Sequence, residues 1–468
     1  MNGGRLLDSP QKNPELHRAL GPVASGALLA GTVIGTGIFL VPSTIAREMG
    51  SVELVFLVWA IGALLSLAGA LTYAELGSAF PAAGGEYVFL RRAYGPLWGF
   101  LFGWQQIVIG KTGSIAGIAI AFAIFIGFFF SGLSDDVLSI GSFAINGMQV
   151  VAIAGVIGLT VVNIVGVGLG GALQSFLTAL KIGAILALVA LVFGSGRGSW
   201  GNFHSLAAPP EGLSAMDWAA RAGGALAAAL WAYDGWNNLT MVGAEIRDPH
   251  RTIPRVLIFG VLTVAAVYML ANAAYFYALP FEAVQHAQRV AQDVAATVLG
   301  DFGATALTLA TLISTFASLN GSILTGGRIP YAMALDGLFF RRMAKLDPKC
   351  RTPARALLLQ CALASGLILL FAHDKAAFER LLDYALFGTW LFYGITVLAV
   401  IVLRSRHPEL PRPYLTLGYP WIPLLFAAVA VLFCLSIALR RPAETAFGLV
   451  LLAAGLPFYW FWRRAEQP

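Results

Sequence analysis

"LAGTVIGTGIF", residues 29–39, places three glycines, Gly31, Gly35 and Gly37, and two threonines, Thr32 and Thr36, inside the first long apolar stretch of the chain. A helix in hydrocarbon has to satisfy its own backbone, so irregular backbone survives at mid-membrane depth only where it lines a cavity. The stretch reads as a helix break near Gly35–Gly37. Glycines at 31 and 35 also have the spacing that lets helices pack closely, and the rest of the chain has to separate the two readings.

The chain has 468 residues, 58% hydrophobic and 12% charged, with a mean hydropathy of +0.77. That is an integral membrane composition. Twelve runs long enough to cross a bilayer are expected at 23–46, 52–79, 97–130, 148–166, 172–195, 218–246, 252–279, 303–331, 353–372, 380–403, 416–439 and 443–462. Lys and Arg divide twenty to eight in favour of the side that carries both ends, so both termini are expected in the cytoplasm of a multi-pass cell-membrane protein. The net charge of +6 follows from this topology and points to no nucleic-acid partner. Cys350, Cys361 and Cys434 lack metal-ligand spacing and are read as unpaired.

A second interruption lies in the sixth run, "ALWAYDGWNNLTMVGAEI" (229–246), where Asp234 and Gly235 interrupt an apolar helix flanked by Trp231, Tyr233 and Trp236. The register that carries Gly35 onto Asp234 carries runs two, three and four onto seven, eight and nine. An offset of five spans is odd, so the second half is inverted relative to the first. Two interrupted helices at the same rank in inverted halves mark a substrate site. The organisation expected is a tail at 1–22, a first repeat at 23–195, a second at 218–403, two further helices at 416–462, and a tail at 463–468.

The chemistry of the breaks follows from helix termini. Opening at Gly35–Gly37 frees the amides of Thr36, Gly37 and Ile38, which favour an anion. The carbonyls near Ile34, with those near Trp231 and Tyr233, favour a cation. A carboxylate beside an ammonium is an α-amino acid. Asp234 is read as the one acid near the centre of a span; it could meet a substrate amine, answer a cationic side chain, or cap the second half of helix six. Lys181, inside the fifth run, could stand in for a coupling sodium ion or snorkel to the interface. Lys111, deep in the third, needs a partner the sequence does not identify. Trp231 could close over a substrate or simply pack, whereas Trp104, Trp390 and Trp421 read equally well as belt or core.

Five stretches together resemble the amino acid–polyamine–organocation superfamily, and within it the L-type amino acid transporters of prokaryotic type. They are "GTVIGTGIF", "YAELGSAFPAAGGEYVFLRRAYGPLWGFLFGW", "AYDGWNNLTMVGAEIRDPHRTIPR", "LNGSILTGGRIPYAMALDGLFF" and "LPRPYLTLGYPWIPLLF". The resemblance implies an all-α membrane protein with the five-plus-five inverted-repeat fold of the leucine-transporter type, discontinuous helices one and six, and two C-terminal helices. It implies that Gly35-Thr36-Gly37 backbone holds substrate carboxylate, that carbonyls at Ile34 and Trp231 hold the amine, and that Trp231 is the aromatic gate. Asn237 falls at a substrate-side polar position, Lys181 matches a lysine that replaces sodium, and Lys111 matches a basic position in helix three. Eukaryotic members bond a glycoprotein through a cysteine between helices three and four; "SGLSDDVLSIGSFAING" has none, so no disulfide-linked heavy subunit is expected.

The function expected is sodium-independent exchange of L-α-amino acids, neutral ones first, by alternating access; uniport, proton symport, and cationic amino acid or polyamine transport are the alternatives. A channel would show repeated carbonyl or acidic rings. An enzyme would need a nucleophile with its base, or metal ligands, at mid-depth, and His17, His204, His250, His286, His373 and His407 all fall in loops or tails. No cofactor or metal is expected.

Overall fold

The computed structural model describes residues 16–140, 143–204, 214–371 and 375–465. Among these, ten helices are long and apolar enough to cross a membrane, and a bent pair in the first span makes an eleventh. The second to fifth spans are Val52–Ala79, Pro96–Gly127, Gly147–Val165 and Val167–Gly194. The seventh and eighth are Pro249–Ala278 and Asp301–Leu335. The remaining four are Ala354–Phe371, Ala385–Arg406, Trp421–Arg440 and Pro442–Arg464.

The sixth expected span departs from the others. It is a helix over Ala215–Ala232, an irregular turn, and a single helical turn over Asn238–Met241. Asp217 and Arg221 lie in its first half and the break removes its centre, so it is not among the span-length helices. One further difference from an all-helical chain is a short antiparallel hairpin, Asp136–Ile140 with Phe143–Asn146, between spans three and four.

The spans pack so that the second lies along the seventh, the third along the eighth, and the first half of the first span, Pro22–Val33, along the fifth, seventh and eighth. The arginine-rich side is sealed by backbone and ion pairs. Leu20 bridges Ile246, with Leu20 N donating to Glu245 O at 3.0 Å and Arg247 N to Leu20 O at 2.8 Å. Arg328, fully buried, forks onto both oxygens of Glu245 at 2.8 Å and also donates to the Leu324 carbonyl. Glu75 accepts from Arg404 at 2.8 and 2.7 Å and from Thr416 N at 2.7 Å. Buried charges persist when they are paired and their remaining lone pairs are used, as here.

Candidate functional site

The first helix ends at Val33 and resumes at Gly37, the two halves meeting at 42°. Gly35 N turns back onto Val33 O at 2.8 Å, and the amides of Thr36, Gly37 and Ile38 meet no acceptor among the described residues. Three N–H groups at a helix start form the anion-favouring end anticipated from the glycines. Gly37 is fixed by close approach, because a Cβ there would lie 2.8 Å from that of Ala232 in the sixth span. At Gly35 the nearest atom to such a Cβ is the Ser318 hydroxyl at 3.5 Å, so this lip of the break is open.

The sixth span breaks at Gly235, whose φ of 111° is a conformation that side chains rarely adopt. The two breaks touch. Thr32 Oγ1 lies 3.1 Å from Gly235 O as well as 2.9 Å from the Leu28 and Leu29 carbonyls of its own helix, and the Tyr268 hydroxyl from span seven lies 3.0 Å from Val33 O and 2.9 Å from Ala232 O. Tyr268 thus ties the ends of both first half-helices to one oxygen atom.

Lys181 does not snorkel. It is 1% exposed, and its ammonium donates to Gly31 O at 2.8 Å, Ile34 O at 2.6 Å and Ser314 O at 3.1 Å, with Ser318 Oγ at 3.5 Å. These are the oxygens a bare cation would need at the end of a half-helix, and the lysine supplies the charge on a tether. Ile34 O also accepts from Ser314 Oγ at 3.0 Å. Both lone pairs of that carbonyl are thus engaged, by Lys181 from span five and by Ser314 from span eight.

The other expected residues separate. Trp231 is 47% exposed and its ring lies beside Gly37, on the open side of the break. Tyr233 is buried among Trp59 and Tyr268, so its ring faces the core. Asp234 is half-buried and accepts the Tyr393 hydroxyl of span ten at 2.8 Å; the residue at the N-cap of the next helical turn is Asn237. Asn237 donates to Glu86 Oε1 at 2.6 Å, and Lys111 donates to Asn238 Oδ1 at 2.5 Å.

Asp234 is therefore not the sole acid at the break. Glu86, fully buried, reaches it from the short helix Glu86–Tyr94 that follows span two. Sequence position hid it: "GGEYVF" lies outside every apolar run, yet the paired glycines Gly84 and Gly85, both with positive φ, fold it back inward. Ser314 and Ser318 lie one turn apart on span eight but among many other hydroxyls, Thr308, Thr311, Thr315 and Thr325 included, so the sequence did not single them out. Tyr268 carried none, since a tyrosine in an apolar span usually marks an interface. Among the described residues no cluster of His, Cys, Asp and Glu could hold a metal ion.

A family model described as amino acid permease matches residues 20–454. The serine/threonine exchanger SteT of Bacillus subtilis is 32% identical over 95% of this chain and 97% of its own length. The mouse b(0,+)-type amino acid transporter 1 is 31% identical over 96% of this chain and 88% of its own. The rabbit large neutral amino acids transporter small subunit 2 is 31% identical over 97% and 82%.

Proposed function

The chain belongs to the amino acid permease family, and from that premise we propose a sodium-independent exchanger of L-α-amino acids, neutral ones first, working by alternating access in the cell membrane. The observation that carries the reading is Lys181, which occupies the carbonyl end of the broken first helix while the amides of Thr36, Gly37 and Ile38 across the same break stay unpartnered. A tethered ammonium removes the need for a metal ion at that position, and free amides beside it suit a substrate carboxylate. The amine then falls to the carbonyls of the second break, that of Asp234 and that of Trp231, which also takes the Asp234 amide at 3.2 Å, with the Trp231 ring closing over the substrate from the open side. SteT is named an exchanger of serine and threonine, which supports exchange of small neutral substrates.

The repeats at 23–195 and 218–403, the helix pair at 416–462 and the cytoplasmic placement of both tails belong to this proposal, supported by the arginine bias and by the matched breaks. So does operation without a disulfide-linked subunit, since the segment between spans three and four has no cysteine. A second reading has its own observation. Asp234 keeps one carboxylate oxygen outside its bond to Tyr393 and is only half-buried, which suits a cationic side chain.

Proteoliposomes preloaded with a radiolabelled neutral amino acid, in sodium-free buffer, test both. Efflux that starts only when certain amino acids are supplied outside supports exchange and names the substrates. Efflux indifferent to them points to uniport or proton coupling, and a response confined to lysine and arginine favours the second reading.

A further inference from the structure

Lys111 reaches the sixth span by three local devices. Residues Gln106–Gly110 form a π-helical turn, with Lys111 N bonded back to Gln106 O, which re-aims the helix at that point. In span eight, Gly326 clears the way, since a Cβ there would stand 2.6 Å from Lys111 Cγ. Asn238 then receives the ammonium at 2.5 Å, with the whole side chain 7% exposed. A charge this deep needs opposite charge or strong hydrogen bonds, and Asn238 is neutral.

The opposite charge is present in duplicate. Asn238, which holds Lys111, follows directly on Asn237, which holds Glu86, and Asp234 lies three residues before Asn237. Neither carboxyl group forms a salt bridge among the described residues. Glu86 Oε2 is buried with no hydrogen-bond partner among them. The helix-six break thus holds two carboxyl groups and one ammonium, each fixed by a neutral residue: Asn237 on Glu86, Tyr393 on Asp234, Asn238 on Lys111. In a medium of low dielectric the charge of a pocket decides which charged ligands enter it.

We propose that Lys111 is a specificity-determining residue, the fixed charge that offsets one of the two carboxyl groups at the break and so favours an amino acid whose side chain is uncharged. Without it both carboxyl groups go unmatched, and the preference moves to side chains like those of lysine and arginine. This rests on the reading of the chain as an amino acid exchanger.

The test is counterflow into proteoliposomes, taking the ratio of arginine to serine uptake. Lys111→Met should raise that ratio about tenfold or more, and Lys111→Arg, which keeps the charge, should leave the ratio near wild type. Glu86→Gln removes one negative charge with Lys111 in place and should lower the ratio several-fold. A wild-type ratio in an active Lys111→Met protein overturns the proposal. If that variant is not recovered folded, a wild-type ratio in Glu86→Gln overturns it instead. Wild-type protein that exchanges neither amino acid would remove the exchanger reading itself, a result distinct from a ratio that ignores Lys111.

Discussion

Each of the two helix breaks is served by a buried lysine, and the two are held in opposite ways. At the first break Lys181 meets oxygens almost entirely of the backbone: Gly31, Ile34 and Ser314. At the second, Lys111 and Glu86 meet side-chain amides, those of Asn238 and Asn237. Backbone carbonyls are the same whatever residue bears them, so the first break fixes shape and charge with little dependence on its neighbours' identity. Side-chain amides can be changed one at a time, and that is where selectivity has room to vary. In the function proposed, the first break recognises what all α-amino acids share and the second what distinguishes them.

Removing Lys181 should have the largest effect. Lys181→Ala leaves several buried carbonyls short of a donor, at about 1–3 kcal/mol each, and exchange should fall on the order of 100-fold in the proteoliposome assay. Activity retained within a few-fold would break the contrast between the two lysines.

Gly37→Val comes next. The new side chain meets Ala232 at under 3 Å, so the outer half-helices must part, at about 1–3 kcal/mol for overpacking. Exchange should be lost while the protein still inserts and elutes as a monodisperse peak. Gly35→Ala, with its nearest atom at 3.5 Å, should be much milder, and equal losses at both positions would refute the close approach as the cause.

Gly235→Ala forces a side chain into a φ of 111° against Thr32 O, 3.2 Å away. A cost of about 1–3 kcal/mol should appear as a lower thermal midpoint in detergent, with exchange reduced. The smallest effect belongs to Tyr268→Phe. It removes the hydroxyl that serves Val33 O and Ala232 O, worth about 1 kcal/mol, and should slow exchange a few-fold without changing the arginine-to-serine ratio. A shifted ratio would mean that Tyr268 acts on selectivity and not on the join between the breaks.

Much of this was legible along the chain because membrane helices are written in local composition. The apolar runs, the glycines of the first break and Asp234-Gly235 of the second are all contiguous features. Lys181 and Lys111 stood out because an ammonium is rare in such runs. What escaped was whatever depended on a turn or on a neighbour from another span. Glu86 lies outside the apolar runs and is folded inward by two glycines with positive φ. Ser314 of span eight, which donates to Ile34 O, could not be read from the rank of Ile34 in its helix. The interruption of the sixth span at Asp234-Gly235 was legible, but not that the α-helix following it is a single turn, Asn238–Met241.

By itself, then, the sequence determined a multi-span membrane chain, the two places where its helices break, and the two lysines within its spans, because hydrophobic length and glycine placement act over a few neighbouring residues. Only the tertiary structure decided that both lysines are buried and which oxygens they take, that Tyr268 joins the breaks, and that Glu86 reaches the same break as Asp234 through Asn237. Such partners come from spans distant along the chain, and at a depth without water each polar group must find whichever partner the packing brings within reach.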